Sequence, residues 1–566
     1  LRDSLCQVES QVFYPKPSLP FMGASPSTHD YDIIIIGAGS GGLTAAGFAA
    51  SLGARTCLVE KSKIGGDCTW TGCVPSKALL HVAKVAHHAR TGGGNTGVTS
   101  TSVNVDMSQV HNYIHSRIDD IYQHETPSKI REKGVDVIVN TAASFINPHT
   151  IKLTPSLSSS EEEEEEEEKE EENNENNGRD SRTSITASYF IICTGAKPKS
   201  PRTVNIEIEP GVQYLTYENI FNLTQLPKHL CVVGGGPIGS EMSQAFQRLG
   251  SQVTIIGKIL PREFLDSQTV VANVFAKEGI KHVKGRAMKI KIQQGNESQK
   301  EEKEEKKEHQ EKNEDKRTRT SYAVTTRNKQ GDETTLFCDK ILLAIGRVPV
   351  VDNLGLSNIN LATGKNGIVV NASLQTSHSH IYAAGDCCES EQFTHYAGWQ
   401  AFQAVRNALL PSTSNGHSSL IPRCTFTDPE IASVGLSFVE ALQKYGSDKS
   451  RIKEIRRDAA KNDRAVCDSD AAGGFISLVV DVKTDLILGG RCVMSRAGET
   501  INEIAVAIKN KLTVTQLGGT IHTYPSYSFA LQQLAAEYAM QTFLKSTAGN
   551  CAKNWSVCCG VFRLKK

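Results

Sequence analysis

Asp32-Ile-Ile-Ile-Ile-Gly37-Ala-Gly39-Ser-Gly41-Gly42 and, much later in the chain, Leu230-Cys-Val-Val-Gly234-Gly-Gly236-Pro-Ile-Gly239 share one pattern: an apolar strand, a glycine loop and the start of a helix. One such loop is a weak signal. Two in the same context, each with a further strand beyond it, predict two dinucleotide-binding domains. The first glycine of each (Gly37, Gly234) permits the tight bend, and the second (Gly39, Gly236) lets backbone approach a pyrophosphate. The third (Gly42, Gly239) packs helix on strand. The phosphates then meet the free N–H groups of the helix N-terminus.

The strand beyond each loop distinguishes the two. Thr56-Cys-Leu-Val-Glu60 ends in a carboxylate placed to accept hydrogen bonds from a ribose diol, which suits the adenosine half of FAD. Val253-Thr-Ile-Ile-Gly257-Lys258 has no such acid, and Arg262 comes soon after. A cation there attracts a 2′-phosphate, so NADPH fits better than NADH.

At 566 residues the chain is too long for one core, and a prior of about 150 residues per domain predicts three or four units. Charges balance, with 62 basic and 62 acidic residues, and no compact basic stripe points to nucleic acid or an anionic membrane. The longest apolar stretch, Ile33 to Gly53, is broken by glycines, Ser40 and Thr44, which fits strand-turn-helix rather than a membrane span. Fifteen cysteines, odd in number and unevenly spaced, do not form a secreted disulfide framework. A soluble protein of a reducing intracellular compartment is expected, in the cytosol or an organelle.

Residues 1–29, rich in Ser and Pro, are expected to be a disordered leader. Two charge runs, a glutamate-rich one at 158–178 and a mixed one at 297–319, cannot bury enough apolar surface to fold alone. Each precedes an apolar run ending in glycine, Tyr189-Phe-Ile-Ile-Cys-Thr-Gly195 and Lys340-Ile-Leu-Leu-Ala-Ile-Gly346. Both therefore read as enlarged hairpin tips at matching places in two similar domains. The predicted fold is α/β: an FAD-binding domain (30–212, returning at 346–419) interrupted by a NAD(P)-binding domain (213–345). An α+β dimerisation domain (420–545) and a C-terminal tail (546–566) complete the chain.

Between the loops lies Gly65-Gly66-Asp67-Cys68-Thr-Trp-Thr-Gly-Cys73-Val-Pro-Ser-Lys77. A structural zinc site needs a second ligand pair, and none is nearby. Redox chemistry is the better reading: a pair on one helical turn at a helix start closes a disulfide, and the helix dipole lowers thiolate pKa.

This segment resembles the active site of the class I pyridine nucleotide-disulfide oxidoreductases, which include glutathione reductase, dihydrolipoamide dehydrogenase and mercuric reductase. Thr194-Gly195-Ala196, Gly346-Arg347-Val-Pro349 and Ala384-Gly385-Asp386 resemble the family's short motifs around its two cofactors, and Cys424 to Gly435 the start of its dimerisation domain. The resemblance implies a homodimer in which Gly66 lies at the flavin, Cys73 is the charge-transfer thiol and Cys68 the interchange thiol. It also implies that Lys77 pairs with Glu241 beside flavin and nicotinamide.

The pattern fails near the C-terminus. Disulfide-reducing members carry His-Pro and then Glu, a dyad that protonates the leaving thiol. Here Tyr524-Pro525 stands with Phe529 at the glutamate position. A tyrosine titrates near pH 10 against about 6.5 for histidine, so its use as a base near neutrality costs roughly 4 to 5 kcal/mol. His522 lies two residues upstream with no glutamate at the right sequence distance. Mercuric reductases also depart from the dyad, carry tyrosine in this region and end in a vicinal cysteine pair; Cys558-Cys559 resembles such a pair for transient soft-metal transfer. A metal-ion acceptor is therefore the leading expectation. A disulfide or lipoamide reductase with an altered dyad, and a flavin-binding protein without turnover, are its alternatives. The remaining cysteines in strand patterns, Cys57, Cys193 and Cys231, read as buried apolar residues.

Overall fold

The computed structural model describes residues 28–98, 102–156, 182–293, 321–388, 391–446, 450–470 and 473–558. Ile33, Ile34, Ile35 and Ile36 are all buried, as a parallel strand covered on both faces requires. Successive side chains point to opposite faces. Ile34 and Ile36 pack with Phe145 and Phe190 on one side, and Ile33 and Ile35 with Ala45, Ala46, Ala49 and Leu58 on the other. Each contributes about 2 kcal/mol on burial, so a charge at Ile34 or Ile35 would expel the strand from its sheet.

This strand, Tyr31–Ile36, is central to one of two packing units, built from Leu1–Pro75, Ile114–Lys199 and Arg347–His417. Its sheet runs Val135–Ile138, Thr56–Val59, Tyr31–Ile36, Ser184–Ile192, Thr150–Pro155, Thr141–Asn147, with Ile381–Ala383 also on Ser184–Ile192. The long Ser184–Ile192 strand serves two purposes. Its start pairs antiparallel with Thr150–Pro155, and the rest pairs parallel with Tyr31–Ile36 and Ile381–Ala383. Small residues Gly41, Gly42, Ala45, Ala46 and Ala49 line the buried face of the Ser40–Ser51 helix, which let it pack closely on the strand and on the Thr394–Leu409 helix.

The other unit comprises Ser76–Tyr113, Ser200–Gly346 and Ser418–Lys566, so the segment expected as the first FAD-binding part is shared between the two units. It holds a parallel sheet ordered Lys281–Val283, Gln252–Ile256, His229–Val233, Lys340–Leu343, and an antiparallel meander of Arg286–Gln293, Ser321–Arg327 and Glu333–Cys338. A five-stranded antiparallel sheet runs from Arg423–Thr425 to Ile452–Asp458. The helices Ala497–Lys509 and Phe529–Lys545 supply Ile501, Ile504, Leu531 and Leu534 to the core on it. The α/β class and the repeated dinucleotide-binding architecture are as the glycine loops predicted.

The two charge runs lie outside the described residues, but the strands flanking them are hairpins. The places do not match, however. The first run joins the second and third strands of its meander (Thr150–Pro155 to Ser184–Ile192), and the second joins the first and second (Arg286–Gln293 to Ser321–Arg327). Composition marks a solvated tip without saying which tip, because every hairpin turn in a meander tolerates extra length. Among the described residues no helix is long and apolar enough to cross a membrane.

Candidate active site

In the first unit Gly37 has φ +99°, and a Cβ there would stand 2.6 Å from the Cys193 carbonyl oxygen. A Cβ on Gly42 would run into the Gly37 carbonyl, whereas at Gly39 the nearest atom is Gly66 Cα at 3.9 Å. The loop is thus tight where it folds on itself and open where a pyrophosphate would approach. Glu60, buried at the next strand's end, accepts the Ala38 N–H at 2.6 Å and the Ser62 N–H at 2.9 Å. Burial raises its pKa, against the pull of those two N–H groups. These residues fit a dinucleotide with a ribose beside Glu60.

Thr194 donates to the Val350 carbonyl at 2.6 Å, and Ala196–Pro198 pairs with Arg347–Pro349. That pairing delivers Arg347, which bridges Asp386 and Asp67, each at 2.6 Å. Burial raises the Asp386 pKa, with Arg347 opposing it and Asp67 adding to it. Asp67 is a partner the sequence reading missed, although it sits directly before Cys68.

Cys68 and Cys73 do not share one helical turn as expected. Cys68 lies in the short Gly66–Trp70 helix, and Cys73 opens the separate Cys73–Asn95 helix. The break falls at Gly72, where a Cβ would stand 2.6 Å from the Asp67 carbonyl oxygen. Both cysteines stand as thiols. A hydrogen bond donated to Cys73, then burial, raises the Cys68 pKa, with Thr394 opposing. Cys68 therefore keeps its proton, and exposed Cys73, on the first turn of a long helix and 3.4 Å from Thr394 Oγ1, is where a thiolate is favoured.

In the second unit Gly234 has φ +106°, and a Cβ on Gly236 meets nothing within 4 Å, again leaving room at a helix start. Lys258 and Arg262 are exposed beyond the strand end, and Gly346 has φ +107° after the Lys340–Leu343 strand. Lys77 donates to Glu241 at 3.1 Å. Glu241 is buried and also accepts the Phe426 N–H at 2.9 Å, while Lys77 Nζ lies 4.2 Å from the Phe426 ring centre. One turn further along the Pro237–Leu249 helix, Gln244 exchanges two hydrogen bonds with the Asp428 backbone, at 2.7 and 2.8 Å, and Arg248 pairs with Asp428 at 2.9 Å and Glu278 at 2.5 Å. These contacts fix the helix, and with it Glu241, to the 426–428 segment. Phe426 and Asp428 were legible only as members of a motif.

Near the C-terminus, Tyr524 precedes a cis proline, is 61% exposed, and donates to Asp463 at 2.9 Å. That hydrogen bond, and then the Asp463 charge, raises its pKa. Tyr524 and Phe529 rings meet edge to face at 5.3 Å. His522 does have a glutamate, contrary to expectation: its Nε2 is 2.6 Å from Glu503 and its Nδ1 is 3.0 Å from the Thr520 carbonyl. Glu503 comes from the Ala497–Lys509 helix, which the short spacing of the family pattern could not reveal. Of the C-terminal pair, Cys558 ends the Thr547–Cys558 helix and Cys559 lies outside the described residues. Cys57, Cys193 and Cys231 are buried, as are Cys387 and Cys388, whose sulfurs are 3.9 Å apart.

Two dinucleotide cradles and a close thiol pair are the parts of a flavin-dependent oxidoreductase that works on a pyridine nucleotide. The chain belongs to the pyridine nucleotide-disulphide oxidoreductase family, which matches residues 31–401, with the family's dimerisation domain matching 421–535. It is similar to dihydrolipoyl dehydrogenase of Bacillus subtilis, 29% identical over 510 residues that cover 89% of this chain and 97% of that one. It is equally similar to mercuric reductase of Bacillus cereus, 29% identical over 500 residues, covering 88% and 69%. Among solved structures, LpdA from Mycobacterium tuberculosis has a TM-score of 0.72 at 26% identity, over 89% of this chain and 99% of that one. Relatives with different acceptors stand at the same distance, so the comparisons define an FAD-dependent class that uses a pyridine nucleotide and leave the acceptor to chemistry.

Proposed function

We propose that the protein, as a homodimer, carries electrons from NADPH to the Cys68–Cys73 pair and on to a thiophilic metal ion, in the manner of a mercuric reductase. The observation that carries this reading is the stretch around Pro525. Tyr524 is tied to Asp463, and both nitrogens of His522 face acceptors, so neither directs an imidazole nitrogen at a substrate. Splitting an acceptor disulfide takes two electrons and two protons, the second thiol needing an acid. Reducing a bound divalent ion to the metal takes two electrons and no proton.

FAD, bound at the Gly37 loop, would supply two-electron relay between nicotinamide and the cysteine pair. Glu60 would hold its ribose, Gly66 and Gly195 would leave room for it, and the Arg347–Asp386 pair would fix the segment behind it. The Gly234 loop would hold the nicotinamide dinucleotide, with Lys258 and Arg262 favouring a 2′-phosphate. Lys77, oriented by Glu241, would position the nicotinamide end. Cys73 would carry the thiolate and Cys68 would retain a proton until it meets the acceptor; two thiolates suit a soft ion such as Hg(II).

The experiment is Hg(II)-dependent NADPH oxidation by flavin-loaded protein in excess thiol, compared with Cys73→Ala. Turnover lost in the variant supports the reading. Wild type whose flavin is reduced by NADPH but which ignores Hg(II) refutes it and moves the search to disulfides. The Glu503–His522 contact favours that second reading, in which a shift of Nδ1 away from Thr520 would free one nitrogen for acid–base work.

A further inference from the structure

Four histidines in the first unit gather where no cofactor motif lies. His149 and His380 stack at 4.0 Å between ring centres with 11° between planes, and His29 stacks on the other side of His149 at 5.0 Å and 12°. His378 meets His380 edge to face at 5.9 Å. The rings of His29, His149 and His380, with Ser188, Tyr189, Ser379 and others, line a cleft of about 470 Å³, within the range of small-molecule sites. It opens beside the start of the Tyr31–Ile36 strand, six residues from the end that carries the Gly37 loop. At about 3.3 Å per residue that is roughly 20 Å away. Doubly wound sheets bind their cofactors at the opposite, carboxyl end of the strands, so the cleft is not part of the dinucleotide cradle.

The hydrogen bonds say what such a cleft would take. His149 Nδ1 faces the Ala187 carbonyl at 2.9 Å and His380 Nε2 the Pro148 carbonyl at 2.8 Å. A carbonyl only accepts, so these nitrogens carry hydrogen, and a second proton on either ring goes to the other nitrogen and makes it a donor too. Among the described residues no carboxylate lines the cleft, whose other titratable groups are the phenols of Tyr189 and Tyr382. Asp30, next to His29, is held by Thr186 with Arg182 acting on it, and Arg55 donates to the His29 carbonyl. Burial and then, after the opposing Pro148 carbonyl, the neighbouring imidazoles lower the His380 pKa. Protonating more than one ring puts like charges 4.0 to 5.0 Å apart. Parallel rings also aim their in-plane lone pairs side by side rather than at a common point, and no metal-holding group of three ligands occurs among the described residues.

We propose that this histidine stack is a proton-linked binding site for a small oxyanion, separate from the electron-transfer site. Bound anion neutralises the protonated rings, and the Ser379 hydroxyl adds a donor. By linkage, anion binding takes up protons, and affinity falls as pH rises through the titration of the stack.

Sulfate is the probe, because its charge is constant between pH 5.5 and about 8, where imidazole titrates. Titration calorimetry of the FAD-loaded protein in buffers of different ionisation enthalpy measures affinity and protons together. The expected result is sulfate binding at pH 5.5 with net proton uptake, weakening by up to about tenfold per pH unit as the rings deprotonate, and abolished in His149→Gln. His29→Gln, a change on the arm before the first strand, serves as the second variant should His149→Gln not fold, and flavin content reports folding of both. Sulfate binding that is equal in wild type and variants, that takes up no protons, or that is absent at pH 5.5 overturns the proposal.

Discussion

Replacing Glu241 with glutamine tests whether the buried carboxylate acts by holding Lys77. Glutamine keeps the shape and still offers an oxygen to the Phe426 N–H, which Glu241 now accepts at 2.9 Å. Its amide nitrogen, however, would confront Lys77 Nζ, now 3.1 Å from Oε2, so donor meets donor. A charge-assisted hydrogen bond contributes about 1.5 to 3 kcal/mol net. Because the Lys77 side chain is 39% exposed, solvent screening puts the loss at the lower end, about 1.5 kcal/mol. If the pair serves the step in which nicotinamide reduces flavin, that is roughly a tenfold slower reduction. Anaerobic stopped-flow mixing with NADPH, tracking the flavin absorbance in a single turnover, isolates this step from acceptor chemistry. A variant with normal flavin content and a reduction rate within twofold of wild type would refute the reasoning, and Lys77 would then be a surface cation with no part in the step.

Limited alkylation at neutral pH, read by peptide mass spectrometry, should label Cys73 well before Cys68, because Cys73 and burial keep the Cys68 proton on; equal labelling would contradict that division. Asp428→Asn should destabilise the protein in a pH-dependent way. Burial alone would raise the Asp428 pKa, but Arg248 and Lys84 outweigh it and the net shift is downward. A depressed carboxylate stabilises the fold above its unfolded pKa and loses that contribution as pH falls through its folded value. The gap between wild-type and variant urea midpoints should therefore be full at pH 6 and shrink below about pH 4, and a constant gap would mean that charge is not the cause. Tyr524→Phe should leave NADPH-to-flavin reduction and thermal stability unchanged, since the phenol is exposed and the deleted hydroxyl donates to Asp463 at the surface, whereas a slowed flavin reduction would tie Tyr524 to a step it is not expected to serve.

Local constraints made much of the fold legible. A strand buried on both faces must be apolar throughout, and a loop that folds back on its own helix must carry glycine where a Cβ would strike a carbonyl, as at Gly42 and Gly239. Both demands leave marks on adjacent residues. The parts that escaped are contacts between distant segments. Glu503 reaches His522 from the Ala497–Lys509 helix, Asp67 meets Arg347 from 280 residues away, and Phe426, just past the Arg423–Thr425 strand, offers its N–H to Glu241 on the Pro237–Leu249 helix. None of these pairings has a periodicity or a spacing to betray it.

Positions 524 and 529 lie between these cases. They stand at the family's histidine and glutamate positions, and their rings meet, at 5.3 Å. Two aromatic rings in contact are a different device from a histidine oriented by a glutamate, and the exposed Tyr524 hydroxyl donates to Asp463. Nearby, the His522 imidazole has both nitrogens engaged by acceptors. The thiol pair and both glycine loops are present, while the position of the family's histidine holds a tyrosine tied to Asp463. The proposed soft-metal acceptor rests on this combination: such an ion would need electrons and a thiolate grip but no acid.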